Sequence, residues 1–170
     1  MLLWHLGTGA LLVYVTLGRR RIDYRFILLG AVSPDVIDVP LSFAFGWPGH
    51  RGPGHTLASV VAVTVFVVVV FRGPRRLSLF GIGVGWLTHL VADGMWLVPR
   101  TFLWPAFGTR FGGTPAEPYS TDLFVHPLNH LATWGGELAG IAVLLWFWVA
   151  FRMGEQDRLR RFARDGILRP

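Results

Sequence analysis

His89 and Asp93 are separated by three apolar residues within Gly81 to Pro99, GIGVGWLTHLVADGMWLVP. On a helix that spacing stands two side chains one above the other on a single face. An imidazole and a carboxylate so placed can hold a metal ion or each other. The stretch otherwise reads as a membrane-crossing helix, where an ionisable side chain costs ~2.5 to 3.5 kcal/mol on insertion scales. A His–Asp hydrogen bond joining two helices is the plain explanation.

Other ionisable residues in apolar surroundings argue for more. Counted from the nearest arginine cluster, His5 lies 14 residues before Arg19, and Asp35 and Asp38 lie 14 and 17 after Arg21. His55 lies 17 before Arg72, while His89 and Asp93 lie 13 and 17 after Arg76. At ~1.5 Å rise per residue, all six fall roughly 20 to 25 Å from the inner edge of a ~30 Å hydrocarbon core. Three imidazoles and three carboxylates at one depth, from four helices, exceed what helix pairing needs. They suit a divalent metal.

The chain has no cysteine, so thiolate sites are excluded and His with carboxylate points to zinc first, with manganese or iron as alternatives. Six ligands exceed a four-coordinate zinc site and suffice for two ions if a carboxylate bridges; such pairs serve in-line phosphoester cleavage. Asp38 or Asp35 is the candidate base. Arg51 and His50, in the turn-rich loop WPGHRGPG, are candidate phosphate binders, with Arg100, Arg110 and amides opened by Pro34 beside them. Glu137 lies at the same depth and joins the candidate metal ligands. His126 and His130 repeat the four-residue spacing.

These residues need helices to carry them. The chain is 52% hydrophobic and 15% charged over 170 residues, which is one domain of a membrane protein. Its sixteen basic residues are all arginine, giving +6 against ten acids. They cluster beside apolar spans, as the positive-inside rule expects, which argues against nucleic acid as main partner. The expected architecture is an all-α, polytopic bundle of about five spans. Helix one runs from Met1 to Gly18, with its N-terminus outside, and reads as a retained span because its charges follow the apolar run. The second, from Ile22 to about Trp47, is expected to break at Ser33-Pro34, where Ser33 would cap a new helix with Pro34 at its first position. Thr56 to Phe71, Leu77 to Pro99 and His130 to Phe151 supply the rest.

A proline-rich outer loop from Arg100 to Asn129, with six aromatic residues, is expected to be a lid without helix. The membrane-embedded domain covers residues 1–151. Residues 152–170 form a basic cytoplasmic tail, read as a helix on anionic headgroups.

With those residues in hand, the pattern resembles the YdjM-like family, described as LexA-binding, inner-membrane-associated proteins to which metal-dependent hydrolase activity is assigned by inference. The resemblance is carried by His5, by Pro34-Asp35-Val36-Ile37-Asp38, and by His50-Arg51-Gly52-Pro53-Gly54-His55-Thr56. It continues in Gly85 to Asp93 with its His-x-x-x-Asp, and in Trp104-Pro105. It covers about the first 105 residues. The second Asp falls three residues after the first where the family often has two, which leaves Asp35 and Asp38 both open as ligand. No residue here supports a protein partner. The order His, Asp, His, His-x-x-x-Asp also resembles, more distantly, the zinc-dependent phospholipase C and P1 nuclease group. That likeness implies up to three zinc ions, with His126, His130 and Glu137 completing the set.

The expectation is therefore a multi-pass enzyme of the cytoplasmic membrane, with one to three zinc-like ions, cleaving a phosphoester of a lipid or lipid-linked substrate at the outer face. Two other classes fit the same residues: an ion or proton-coupled carrier, since buried His and Asp also relay protons, and a non-catalytic membrane scaffold.

Overall fold

The computed structural model describes residues 1–17, 22–45, 51–111 and 131–169. The Arg19 to Arg21 cluster, His50, His126, His130 and the loop from 112 to 129 lie outside the described residues. Those described are helical, with no strand among them. In chain order the helices are α1 (Leu2–Leu17), α2 (Tyr24–Phe45), α3 (Leu57–Val70), α4 (Gly73–Ala92), the short α5 (Pro99–Phe102), α6 (Leu131–Ala150) and α7 (Gln156–Asp165). Single 3-10 turns stand at Pro53–His55 and Met95–Leu97.

Five principal helices appear where the apolar runs predict them, but only α2 and α6, of 22 and 20 residues, are long and apolar enough to cross a membrane. The apolar α1 and α3 have 16 and 14 residues, and at ~1.5 Å per residue both fall short of a ~30 Å core. α4 spends its first turn on Gly73, Pro74, Arg75 and Arg76. It ends at Ala92 rather than Pro99, because Gly94 takes the left-handed conformation at φ 62° and the chain turns.

The break expected at Ser33-Pro34 does not occur. α2 runs unbroken with Pro34 and Pro40 inside it. Pro34 withholds only its own amide, and Ser33 Oγ donates to the Leu29 carbonyl at 2.8 Å instead of capping a new helix. An interior proline costs about 3 kcal/mol, and packing against α4 outweighs it, as tertiary contact routinely does for helices in proteins. No free amides are therefore presented to an anion at Pro34. Part of the expected lid is also ordered, since Pro99–Phe102 forms a helical turn.

The α2–α4 contact is the most extensive in the bundle, with α1 against α6 next and α3 against α4 after it. Glycines set the first distance. A Cβ at Gly85 would run into the Ile27 carbonyl oxygen, and one at Gly30 into that of Ile82. The two backbones thus lie in contact, the arrangement small residues allow where helices pack without a hydrophobic drive. One apolar cluster lies beside this contact and includes Val60, Trp86, Leu90 and Met95. A second fills the far end with Val13, Tyr24, Ile27, Phe147, Phe151 and Met153, and the tail residues Phe162 and Leu168 pack onto it. The tail is joined to the bundle by its backbone as well, the Tyr24 amide donating to the Gly166 carbonyl at 2.8 Å.

Candidate metal centre

The close approach of α2 and α4 brings His89 onto the backbone of the facing helix. His89 Nδ1 lies 2.7 Å from the Ala31 carbonyl oxygen, which can only accept, so Nδ1 carries the proton and Nε2 is left with its lone pair in the neutral ring.

His55 is fixed in the same manner from the other side. The loop after α2 folds back so that the amides of Gly52, Gly54 and His55 donate to the Asp38 carboxylate at 2.7, 2.8 and 3.1 Å. His55 Nδ1 bonds the same carboxylate at 2.7 Å, again leaving Nε2 as the free nitrogen. Trp86 Nε1 ties the loop to α4 by donating to the Gly54 carbonyl at 2.6 Å. Thr56 then caps α3, its hydroxyl accepting from the Ser59 amide at 3.1 Å.

The two free nitrogens meet. His55 Nε2 and His89 Nε2 are 3.2 Å apart, with both rings almost fully buried. Asp35 Oδ1 lies 3.6 Å from the first and 3.7 Å from the second, and Asp93 Oδ2 lies 3.5 Å from His55 Nε2. His5 completes the group from α1. Its ring stacks on His89 with centroids 3.8 Å apart, and its Nε2 is 3.3 Å from Asp93 Oδ1 and 4.0 Å from Asp35 Oδ2. Four chain segments thus bring five of the residues singled out from sequence to one place. They form two overlapping triads of potential ligands, His5–Asp35–His89 and His55–His89–Asp93.

Of the further candidates among the described residues, Arg51 reaches the group and the others have other surroundings. Asp38 does not face the group: both its oxygens are taken by loop amides and His55 Nδ1, so it holds the His55 ring. Glu137 accepts from the Leu3 amide at 2.8 Å and lies 3.8 Å from the Met1 ammonium. It satisfies the first turn of α1 and is spent there, despite its matching depth. Arg51 does reach the group, its guanidinium lying 3.2 Å from Asp93 Oδ2. It and Asp35, each 24% exposed, are the members open to the outside. Arg100 and Arg110 are exposed.

The donor set fits a divalent cation. With metal–nitrogen and metal–oxygen bonds of about 2.0 to 2.2 Å, ligand atoms around a tetrahedral ion lie roughly 3.3 to 3.6 Å apart. His55 Nε2 has His89 Nε2, Asp93 Oδ2 and Asp35 Oδ1 at 3.2, 3.5 and 3.6 Å, and His89 Nε2 has Asp35 Oδ1 at 3.7 Å. The ring nitrogens turned away from the group meet a carboxylate and a backbone carbonyl, the partners that ligating histidines usually have. Sequence reasoning missed the Ala31 carbonyl and Trp86. The first has no side-chain signal, and a tryptophan in an apolar helix reads as core.

A family model for YdjM inner membrane proteins matches residues 1–158, which takes the likeness through α6 and into α7, beyond the motifs of the first 105 residues. No curated protein and no solved structure matches the chain. By the extent of that family match, the chain belongs to the YdjM inner membrane protein family.

Proposed function

We propose that this chain is a multi-pass membrane hydrolase that uses one or more zinc-like divalent ions to cleave a phosphoester, of a lipid or lipid-linked substrate, at the outer face of the inner membrane. The observation that carries the reading is the 3.2 Å approach of His55 Nε2 to His89 Nε2. Two lone pairs at that distance repel unless a proton or a metal cation lies between them, and two carboxylates aimed at the same point add to the demand for positive charge there.

His5, Asp35, His55, His89 and Asp93 would hold the ion or ions. A divalent cation in such a site supplies Lewis acidity and lowers the pKa of water towards ~7. The residues of the chain do the remaining work. Asp38 and the Ala31 carbonyl hold His55 and His89 in one tautomer and one orientation. Arg51 stands at the open side, where its planar guanidinium suits two phosphate oxygens. Asp35, the more exposed carboxylate and the one not committed to loop amides, is placed to accept a proton from water. The buried rings of His5, His55 and His89 exclude solvent from the other side.

Elemental analysis of the detergent-purified protein, prepared without chelator and with zinc supplied, is the first test. At least one ion per chain is expected in wild type, with loss in His89→Ala and Asp93→Ala at unchanged helix content. Phosphodiesterase and phosphatase panels on the loaded protein follow. A wild-type protein with far less than one ion per chain sinks the hydrolase. If such a protein also moved protons across vesicles in a His55-dependent way, the carrier reading would replace it.

A further inference from the structure

A second site lies at the end of the bundle remote from the histidines. An apolar cavity of about 200 Å³ opens there between α1, α2, α6 and the tail, walled by Ala10, Tyr24, Leu28, Phe147, Leu159 and Phe162 among others. That volume is several times the ~30 Å³ share of one water, and a cavity with such walls does not favour water. A second cavity, of about 150 Å³, shares Met153 with the first and is flanked by Arg158, Arg161 and Arg169. The buried Phe151 and Met153 stand where the two meet.

α7 builds both. Leu159 and Phe162, three residues apart, line the first cavity, and Arg158 and Arg161, likewise three apart, line the second. Adjacent stripes of one helix therefore present hydrocarbon and guanidinium side by side. The charge is in excess. From Arg152 to Arg169 the tail holds six arginines against three acids, and the Arg161 guanidinium, whose Nε donates to the Asp157 carbonyl at 3.1 Å, pairs with no carboxylate among the described residues. Arg158 and Arg169 are held in place by Glu155 and Asp165. At the mouth of the apolar cavity, whose wall includes Trp148, α6 exposes Leu145, Trp148 and Val149, a surface fit to face lipid in a protein of an inner-membrane family.

We propose that this double cavity binds one anionic phospholipid, with an acyl chain against Leu159, Phe162 and Phe147 and its phosphate between Arg158, Arg161 and Arg169. Charge and apolarity sit in the order that an amphiphile with an anionic head requires. Phe162 packs onto the bundle core while Leu159 stays exposed beside the cavity, so the tail would hold a single lipid there instead of lying flat on a headgroup layer. The site is independent of the metal centre.

The test uses the full chain, delipidated in detergent and then equilibrated in mixed micelles with equimolar phosphatidylglycerol and phosphatidylcholine. Native mass spectrometry counts the lipid retained. One phosphatidylglycerol per chain is expected, in preference to phosphatidylcholine. Arg158→Ala/Arg161→Ala should weaken retention about tenfold, Arg161→Ala alone should weaken it less, and Leu159→Trp should block it with every arginine in place. Arg160→Ala/Arg164→Ala removes the same charge from residues of α7 that line neither cavity and should leave retention intact. Each variant is checked for unchanged helix content and elution volume.

Equal loss from the Arg160/Arg164 pair would show a diffuse charge effect and overturn the proposal. So would equal retention of phosphatidylcholine, or displacement of the lipid by millimolar inorganic phosphate, which would mean that the arginines take phosphate without the chain.

Discussion

Asp38 Oδ2 lies 2.7 Å from His55 Nδ1 while both its carboxylate oxygens also accept loop amides, so one buried carboxylate sets a loop and a ring together. Asp35, one turn earlier, does neither and faces the histidines. Asp38→Asn should weaken metal affinity about 10- to 100-fold, as loss of an outer partner of a ligating histidine does. It should also lower stability by about 1 to 3 kcal/mol through amides left poorly paired. Asp35→Asn should remove metal with little loss of stability. Titrated metal affinity and chemical denaturation, measured on both variants, separate the two roles. Equal behaviour of the pair would contradict the assignment.

Metal removal should itself destabilise the wild type, since an ion that binds only the folded state adds RT ln(1 + [L]/Kd), or about 2.7 kcal/mol at a hundred times Kd. Chelator should lower the melting temperature of wild type and leave that of His55→Ala unmoved. A wild-type melting curve indifferent to chelator and to added zinc would speak against any bound ion.

The α2–α4 contact predicts an effect at a distance from any ligand. Gly85→Ala sets a methyl against the Ile27 carbonyl, and overpacking of this kind costs about 1 to 3 kcal/mol. Separating the helices also moves His89 from Ala31, so metal affinity should fall with stability. Leu87→Ala, on the exposed side of the same helix, should change neither by a comparable amount. Thermal melts with zinc titrations read both quantities.

Glu137→Gln is the complementary case. Its carboxylate serves the Leu3 amide at 2.8 Å, so the variant should cost about 0.5 to 1.5 kcal/mol and leave metal content unchanged. Loss of metal in Glu137→Gln at full helix content would place this residue back at the centre.

Much of the site is legible because helical spacing and depth are one-dimensional. The four-residue interval of His89 and Asp93, and counting from arginine clusters, pick out His5, Asp35, His55, His89 and Asp93 at one height, and height is what chain position encodes. Azimuth is not encoded so simply. Glu137 shares the height but faces the start of α1, and Asp38 faces a loop whose return path depends on Gly52 and Gly54 backbone that no periodicity describes. The same limit hid the Ala31 carbonyl. Pro34 was misleading for an energetic reason: local propensity argues for a break, and the packing of Gly30 and Gly85 lies on a partner helix far along the chain. The five principal helices and most of their bounds followed from apolar runs, whereas the end of α4 did not, since the left-handed turn at Gly94 stops it at Ala92.

α2 delivers Asp35 to the histidines and Asp38 to the returning loop from successive turns of one continuous rod. The two deliveries are geared. Any swivel that draws Asp35 towards a cation also drags the segment from Gly52 to His55, and Arg51 rides on that segment. Filling of the centre by a cation would in this way be transmitted to the rim, where the Arg51 guanidinium stands against Asp93.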